Sequence, residues 1–323
     1  MKDTILVTGV DSKFFLMACL LYQSIKPTSA AENFFVLDFG LKEEEKSFFR
    51  SKGILVDAPG AIGDPHPWAL KAMLHDYVAN LQPSSNIIWI DSDILVNGNF
   101  GTALRGLLDE MANGQVAVAA SPEMKTGDFV SRFSNLNIWP FIRALTERKL
   151  PLDADYYNSG FVIFRSVAFL KAWRDLAKAT PFHALFDQNI FNLVVQGGVR
   201  ILSLPRRVWN FHASDFDEEF SGEEPMVLHV TSHRPEHYKV HACGFTGAQN
   251  DCYELRLLNA RHFLDYQFQV LEKFVSSEKA ALCASGLLPP DLPEGKFFVE
   301  WNIPGDQSCP CQSGKPYADC HAA

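Results

Sequence analysis

Apolar residues along this chain fall into short runs separated by amphipathic stretches. Thr4-Ile5-Leu6-Val7-Thr8-Gly9-Val10 reads as a buried strand, and residues 14–25 continue as a helix with a broad apolar face that Asp11-Ser12 can cap. Phe34-Phe35-Val36-Leu37 predicts a second strand, residues 41–50 a charged amphipathic helix, and Ile54-Leu55-Val56 a third strand. Residues 58–67 hold three prolines and two glycines and read as a loop. A helix over 68–81 then leads into Ile87-Ile88-Trp89-Ile90, a fourth strand. Strands alternating with helices predict an α/β protein with a Rossmann-like, doubly wound sheet, parallel pairing and right-handed crossovers.

The second half is expected to add a helix over 102–112, a strand over 116–120, and a polar stretch at 121–137 that reads as a mobile loop over the site. A strand over 161–164, helices over 167–178 and 187–195, and strands over 201–204 and 226–230 follow. Leu255, Leu258, Phe263, Phe268, Leu271 and Phe274 have helical spacing within 254–285. These patterns divide the chain into a main domain at 1–240, a helical extension at 241–286, a proline-punctuated linker at 287–304 and a small tail at 305–323.

With 323 residues, 47% of them hydrophobic, the chain can bury a large core. Its net charge of −9 gives no footprint for nucleic acid or an anionic membrane, so an anionic substrate has to be held by a local cation. No apolar run approaches the ~20 residues of a membrane span, and the start of the chain lacks a signal-peptide layout, so a cytoplasmic location is expected. Of seven cysteines, Cys19, Cys243, Cys252 and Cys283 are scattered, which argues against a disulfide framework.

The chemistry concentrates at Ile90-Asp91-Ser92-Asp93-Ile94, where apolar character stops at two aspartates and then resumes. On an extended segment, alternation points both carboxylates to one side. Two hard anionic donors that close together call for a hard divalent cation, Mg²⁺ or Mn²⁺, which can also neutralise a departing diphosphate. The plainer alternative is a strand end whose aspartates cap the turn before Asn97-Gly98-Asn99.

Val7-Thr8-Gly9-Val10-Asp11, Ile90-Asp91-Ser92-Asp93, Tyr157-Asn158-Ser159-Gly160-Phe161, Asp187-Gln188-Asn189-Ile190-Phe191-Asn192 and Leu228-His229-Val230 follow in an order that resembles the GT-A glycosyltransferases. The likeness is to the glycogenin-like and galactosyltransferase-like enzymes of family 8 and covers roughly the first 240 residues. It implies a GT-A fold and transfer of a hexose from a nucleotide-sugar, a UDP-sugar above all, to an unknown acceptor with retention. By the same resemblance Asp91, Asp93 and His229 would hold Mn²⁺ or Mg²⁺, with Ser92 beside the donor. Thr8, Asp11 and Phe14 would receive the nucleoside, Phe14 standing where the family often has a stacking tyrosine. Lys71 would contact donor phosphate or sugar. Asn158 would contact the sugar, with Gly160 letting the backbone approach it. Asp187 and Gln188 would lie near the anomeric carbon, and Asp187 can also cap its helix. The family's Lys-Pro-Trp after the metal histidine is missing; in His229-Val230-Thr231-Ser232-His233-Arg234-Pro235, Arg234 would take the place of the lysine that grips the leaving phosphate.

The tail is a different signal. Cys309, Cys311, Cys320 and His321 form a C-x-C-x8-C-H array whose three thiols and one imidazole suit a structural Zn²⁺. The segment closely resembles the SEC-C motif, the zinc-binding tail of bacterial SecA-type translocase ATPases and of other bacterial proteins. That likeness implies a docking role toward a protein partner. Two other readings stay open from the sequence: a haloacid-dehalogenase-like phosphatase using Asp91 and Asp93, and a non-catalytic adaptor with a degenerate transferase core. Against the phosphatase, three strand-helix units precede the aspartates.

Overall fold

The structure, a computed structural model, describes residues 3–60, 66–79, 81, 86–212, 224–230, 240–243, 261–287 and 298–301. Its strands are β1 (Thr4–Val10), β2 (Phe34–Asp38), β3 (Leu55–Val56), β4 (Asn86–Ile90), β5 (Ile94–Val96), β6 (Val118–Lys125), β7 (Asp155–Phe164), β8 (Ile201–Ser203), β9 (Phe211–His212), β10 (Val227–His229), β11 (Val240–Cys243) and β12 (Phe298–Trp301). Seven of them form one sheet in the order β3-β2-β1-β4-β7-β6-β8.

The first four strands pair in parallel, as alternation with helices predicts. The central β7 departs from that expectation and runs antiparallel to both β4 and β6. Apolar strand residues buried on both faces look alike in either direction, so periodicity alone does not reveal the reversal. Because β1 has β2 on one side and β4 on the other, the chain reverses its winding there. The crevice outside the carboxyl ends of β1 and β4 is therefore the place where sheets of this type bind ligands.

Two apolar layers sandwich the sheet. One is built from Leu6, Ile88, Phe161 and the helices Phe15–Ile25, Glu43–Ser51 and Phe100–Asn113. The other is built from Val7, Trp89, Val162 and the helices Trp139–Glu147, Val167–Ala179 and Phe186–Gln196. The long helix Arg261–Ala284 packs into the first layer, with Phe274 edge-on to Phe48 and Tyr266 donating its hydroxyl to Val96 O at 2.6 Å. Glu278 on that helix is buried and pairs with Lys26 at 2.8 Å and with Lys52.

Residues 121–137 form no open loop. β6 runs on to Lys125, the helix Thr126–Arg132 follows, and Phe129 stacks on Tyr156 with ring centroids 3.9 Å apart. The aromatic anchors hold the segment down where its polar surface residues suggested mobility. The strand expected at 161–164 begins already at Asp155, and the helix expected at 68–81 is two short ones, Pro67–Ala72 and Leu74–Val78. The presumed linker contains β12, which pairs with β11 in a two-stranded sheet. Strand β10 lies outside the main sheet, between β5 and β9.

Candidate active site

The Asp91-Ser92-Asp93 segment is a tight turn between β4 and β5 and not an extended strand end: the Ile94 N–H donates to Asp91 O at 3.2 Å. The Asp91 N–H is taken by Gly160 O at 2.8 Å, and Asp93 O accepts from the Val230 N–H at 2.8 Å. These bonds fasten the turn to β7 on one side and to the end of β10 on the other. Turn and strand together bring His229 Nε2 to 3.3 Å from Asp93 Oδ1 and 3.9 Å from Asp91 Oδ2. One ligand atom from each of the three residues lies within 4.8 Å of the others.

The donor set fits a divalent cation on two counts. His229 Nδ1 donates to Asn210 Oδ1 at 2.8 Å, which orients the ring and leaves Nε2 as the nitrogen that faces the carboxylates. The electrostatics agree: burial, together with the Asp93 and Asp187 charges, lifts Asp91 above the usual carboxylate range although Lys71 and His229 work against it. Two carboxylates and an imidazole form a mixed oxygen and nitrogen set that suits Mn²⁺, and Mg²⁺ less well.

Lys71 is nearly fully buried, far from a solvated surface lysine. Its Nζ lies 2.8 Å from Asp91 Oδ1, 3.1 Å from Asp187 Oδ2 and 3.0 Å from Ser159 Oγ, and 5.1 Å from the centre of the Trp89 ring. Burial alone would lower its pKa, but Asp91 and Asp187 overcome that and raise it, so the ammonium is fixed in its charged form. Asp91 Oδ1 also accepts from Trp89 Nε1 at 2.6 Å. Only its other oxygen is turned toward His229.

Asp187 does not cap its helix. The preceding Leu185 takes that place with a left-handed φ of 55°, and the Asp187 carboxylate accepts instead from Ser159 Oγ at 2.9 Å. Gln188 Oε1 accepts the Ser159 N–H and its Nε2 donates to Glu123 Oε2, both at 3.2 Å. Asn158 Nδ2 donates to the same Glu123 oxygen at 3.2 Å. Asn189 and Asn192, on the buried side of the helix, lock it to β7 through Tyr156 and the Tyr157 backbone. A sequence reading of Asp-Gln-Asn-Ile-Phe-Asn has no way to separate these clamping amides from Gln188, which lines the cleft.

Asp11, Phe14, Lys71, Asp91, Ser92, Asp93, Asn158, Asp187, Gln188 and His229 all line one cleft of about 610 Å³. Thr8 does not: it is fully buried on β1 immediately before Gly9, and Gly9, Val10 and Asp11 form that wall. Asp11 caps the short turn that follows, accepting the Phe14 N–H at 3.1 Å. Gly160 has a packing role that its sequence context does not reveal. A Cβ there would stand 2.3 Å from His229 Cε1, so the imidazole packs into the space a side chain would need. Gly9 likewise makes room for Phe39, whose ring stacks on Trp89. Glu123, Asn210 and His212 are site residues that no local sequence signal marked. Arg234, Cys309, Cys311, Cys320 and His321 lie outside the described residues.

Comparison with known proteins bears on the fold and the tail. The SEC-C motif family matches residues 307–323. No curated protein sequence matches the chain. Among solved structures, the galactosyltransferase LgtC, in complex with donor and acceptor sugar analogs, superposes with a TM-score of 0.52 at 17% identity, covering 86% of this chain and 99% of that one. The bifunctional glycosyltransferase WbbM, in its apo form, gives 0.53 at 14% identity over 83% of this chain, which spans 49% of that protein. The chain thus has the fold of these glycosyltransferases, the GT-A architecture.

Proposed function

We propose that the chain is a metal-dependent glycosyltransferase that takes a hexose from a nucleotide-sugar, a UDP-sugar by preference, and transfers it with retention. The observation that carries this reading is the meeting, in one cleft at the carboxyl edge of β1 and β4, of a cation site with the Lys71, Asp187, Gln188 and Asn158 network. A bound Mn²⁺ or Mg²⁺ supplies neutralisation of the diphosphate charge that grows as the sugar departs.

The chain's own groups do the rest. Asp11 and the exposed side of Phe14, at the end of β1, receive the nucleoside by hydrogen bonding and by stacking. The Lys71 ammonium holds the Asp187 carboxylate in place beside the sugar, so Asp187 accepts sugar hydroxyls from a fixed position. Asn158 and Gln188 present amides whose orientation is set by Glu123 and by the Ser159 N–H, and Gln188 faces the developing positive charge with a preorganised dipole. Arg234 is the proposed clamp on the leaving phosphate. Retention rests on the sequence resemblance to family 8, as does the zinc role of Cys309, Cys311, Cys320 and His321.

The test is donor hydrolysis. Incubating the protein with a panel of UDP-hexoses and Mn²⁺ should release UDP and a free sugar, and NMR of the first-formed anomer reads the stereochemistry. Absence of turnover with every nucleotide-sugar, or turnover indifferent to chelation of divalent ions, refutes the assignment.

A further inference from the structure

A group-transfer enzyme needs a second site that opens onto the reacting centre. The cleft described above meets another of about 510 Å³, and the two share Glu123 and His212. That volume suits one or two sugar rings, within the ~300–1,000 Å³ usual for small-ligand sites. Glu123 is the carboxylate that receives both the Asn158 and the Gln188 amides, so the second cleft begins where the sugar-facing amides end.

The charge pattern of its walls is specific. The helix Thr126–Arg132 contributes Asp128, Ser131 and Arg132, spaced i, i+3 and i+4 and therefore on one face. Arg206 enters from the short helix Arg206–Trp209. Asp128 and Arg132 have the spacing of a helical ion pair, yet no such bridge joins them. Among the described residues the Arg132 guanidinium has no carboxylate partner and lies 5.6 Å from the centre of the Phe133 ring. Glu123 and Asp128 line the same cavity, yet neither pairs with Arg132, so in a chain of net charge −9 its guanidinium is left to meet an anion from solution.

We propose that this second cleft receives the acceptor, and that the acceptor is a glycoside bearing an anionic group, a carboxylate or a phosphate, read by Arg132 together with Arg206. Asp128 and Ser131 take its neutral hydroxyls. In the net reaction an acceptor oxygen forms a bond to the anomeric carbon, and the bond from that carbon to the diphosphate oxygen breaks. The electron pair leaves with the diphosphate, which also takes the hydroxyl proton. This inference rests on the glycosyltransferase reading.

The experiment is ligand-observed NMR titration of the full chain, loaded with UDP and Mg²⁺, with three probes: methyl β-glucuronide, methyl β-glucoside 6-phosphate and neutral methyl β-glucoside. At least one anionic probe should bind about tenfold tighter than the neutral one, as expected for a charge-assisted contact. Which of them does so identifies the group as carboxylate or phosphate. Arg132→Gln should abolish the difference, and because Arg132 is exposed this variant keeps the fold, which its melting curve verifies; Arg206→Gln is the second arm. Equal or tighter binding of the neutral probe, a preference that survives Arg132→Gln, or no binding of any probe while UDP still binds overturns the inference and leaves the donor site standing. If UDP itself does not bind, the glycosyltransferase reading falls and this inference with it.

Discussion

Gly160→Ala is the sharpest perturbation of the cation site, because it adds one methyl group and removes no ligand. The new Cβ would lie 2.3 Å from His229 Cε1 and 2.8 Å from Nδ1, against the 3.4 Å at which ordinary contact begins. The imidazole therefore has to withdraw by about 1.1 Å, the difference between 3.4 and 2.3 Å. It has nowhere easy to go: the ring is 3% exposed, bonded to Asn210 on its Nδ1 side and packed edge-on to His212 at 5.1 Å. Metal ligands tolerate displacements of only about 0.2 Å, so the shift should weaken cation binding at least as much as the 10–100-fold seen when a supporting residue is lost. Overpacking should also cost about 1–3 kcal/mol of stability. The assay is Mn²⁺ titration at fixed UDP, followed by the electron paramagnetic resonance of the free ion, alongside thermal melting. Adding His229→Ala to the variant should relieve most of the stability loss without restoring Mn²⁺ affinity, since the two closest atoms belong to the ring and only the third, Asn158 Oδ1 at 2.9 Å, does not. Wild-type Mn²⁺ affinity in Gly160→Ala would refute the placement of His229 in the site.

Three further outcomes follow from the same geometry. Lys71→Met should destabilise the fold by roughly 3–5 kcal/mol, because it leaves the Asp91 and Asp187 carboxylates without their shared cation; urea denaturation measures this, and a change under 1 kcal/mol contradicts it. Burial would raise the pKa of Glu278, but hydrogen bonds from Lys26 and Lys52 outweigh it and hold the carboxyl below its ordinary value. A depressed folded pKa gives stability that is present above about pH 4.3, the unfolded value, and lost as pH falls through the folded one; melting between pH 3 and 6 should show this slope, and Glu278→Gln should flatten it. Deleting residues 307–323 should remove one equivalent of zinc, read by atomic absorption, and leave UDP binding intact; joint loss of both would make the tail part of the donor site.

What the sequence discloses and what it hides divide along a physical line. Asp91 and Asp93 stand out because charged residues interrupting an apolar run have few structural uses, whereas His229, which alone reads as a core histidine at a strand end, is marked only by the family resemblance. The α/β alternation is equally legible for β1 to β4, where each strand has its own helix. The direction of β7 is not, because Phe161-Val162-Ile163-Phe164 buries both faces whichever way it runs. Gly160 shows how a residue's importance can be visible while its reason is not: its lack of a side chain serves a histidine 69 positions later in the chain, a contact no local pattern encodes. Asn210 and Glu123 are invisible for the same cause. Each acts on a partner brought near by the fold alone, His229 across β9 and β10, and Asn158 and Gln188 from β7 and the helix Phe186–Gln196.

The central claim is that this cleft binds a nucleoside diphosphate through a divalent cation held by Asp91, Asp93 and His229. Calorimetric titration of the protein with UDP, in the presence and absence of Mn²⁺, addresses it directly, with Asp93→Asn as the matched variant. Binding should require Mn²⁺ and should disappear in Asp93→Asn while the melting curve stays cooperative. UDP binding of equal strength without the metal or in the variant, or no binding of UDP or any other nucleotide under either condition, would contradict it.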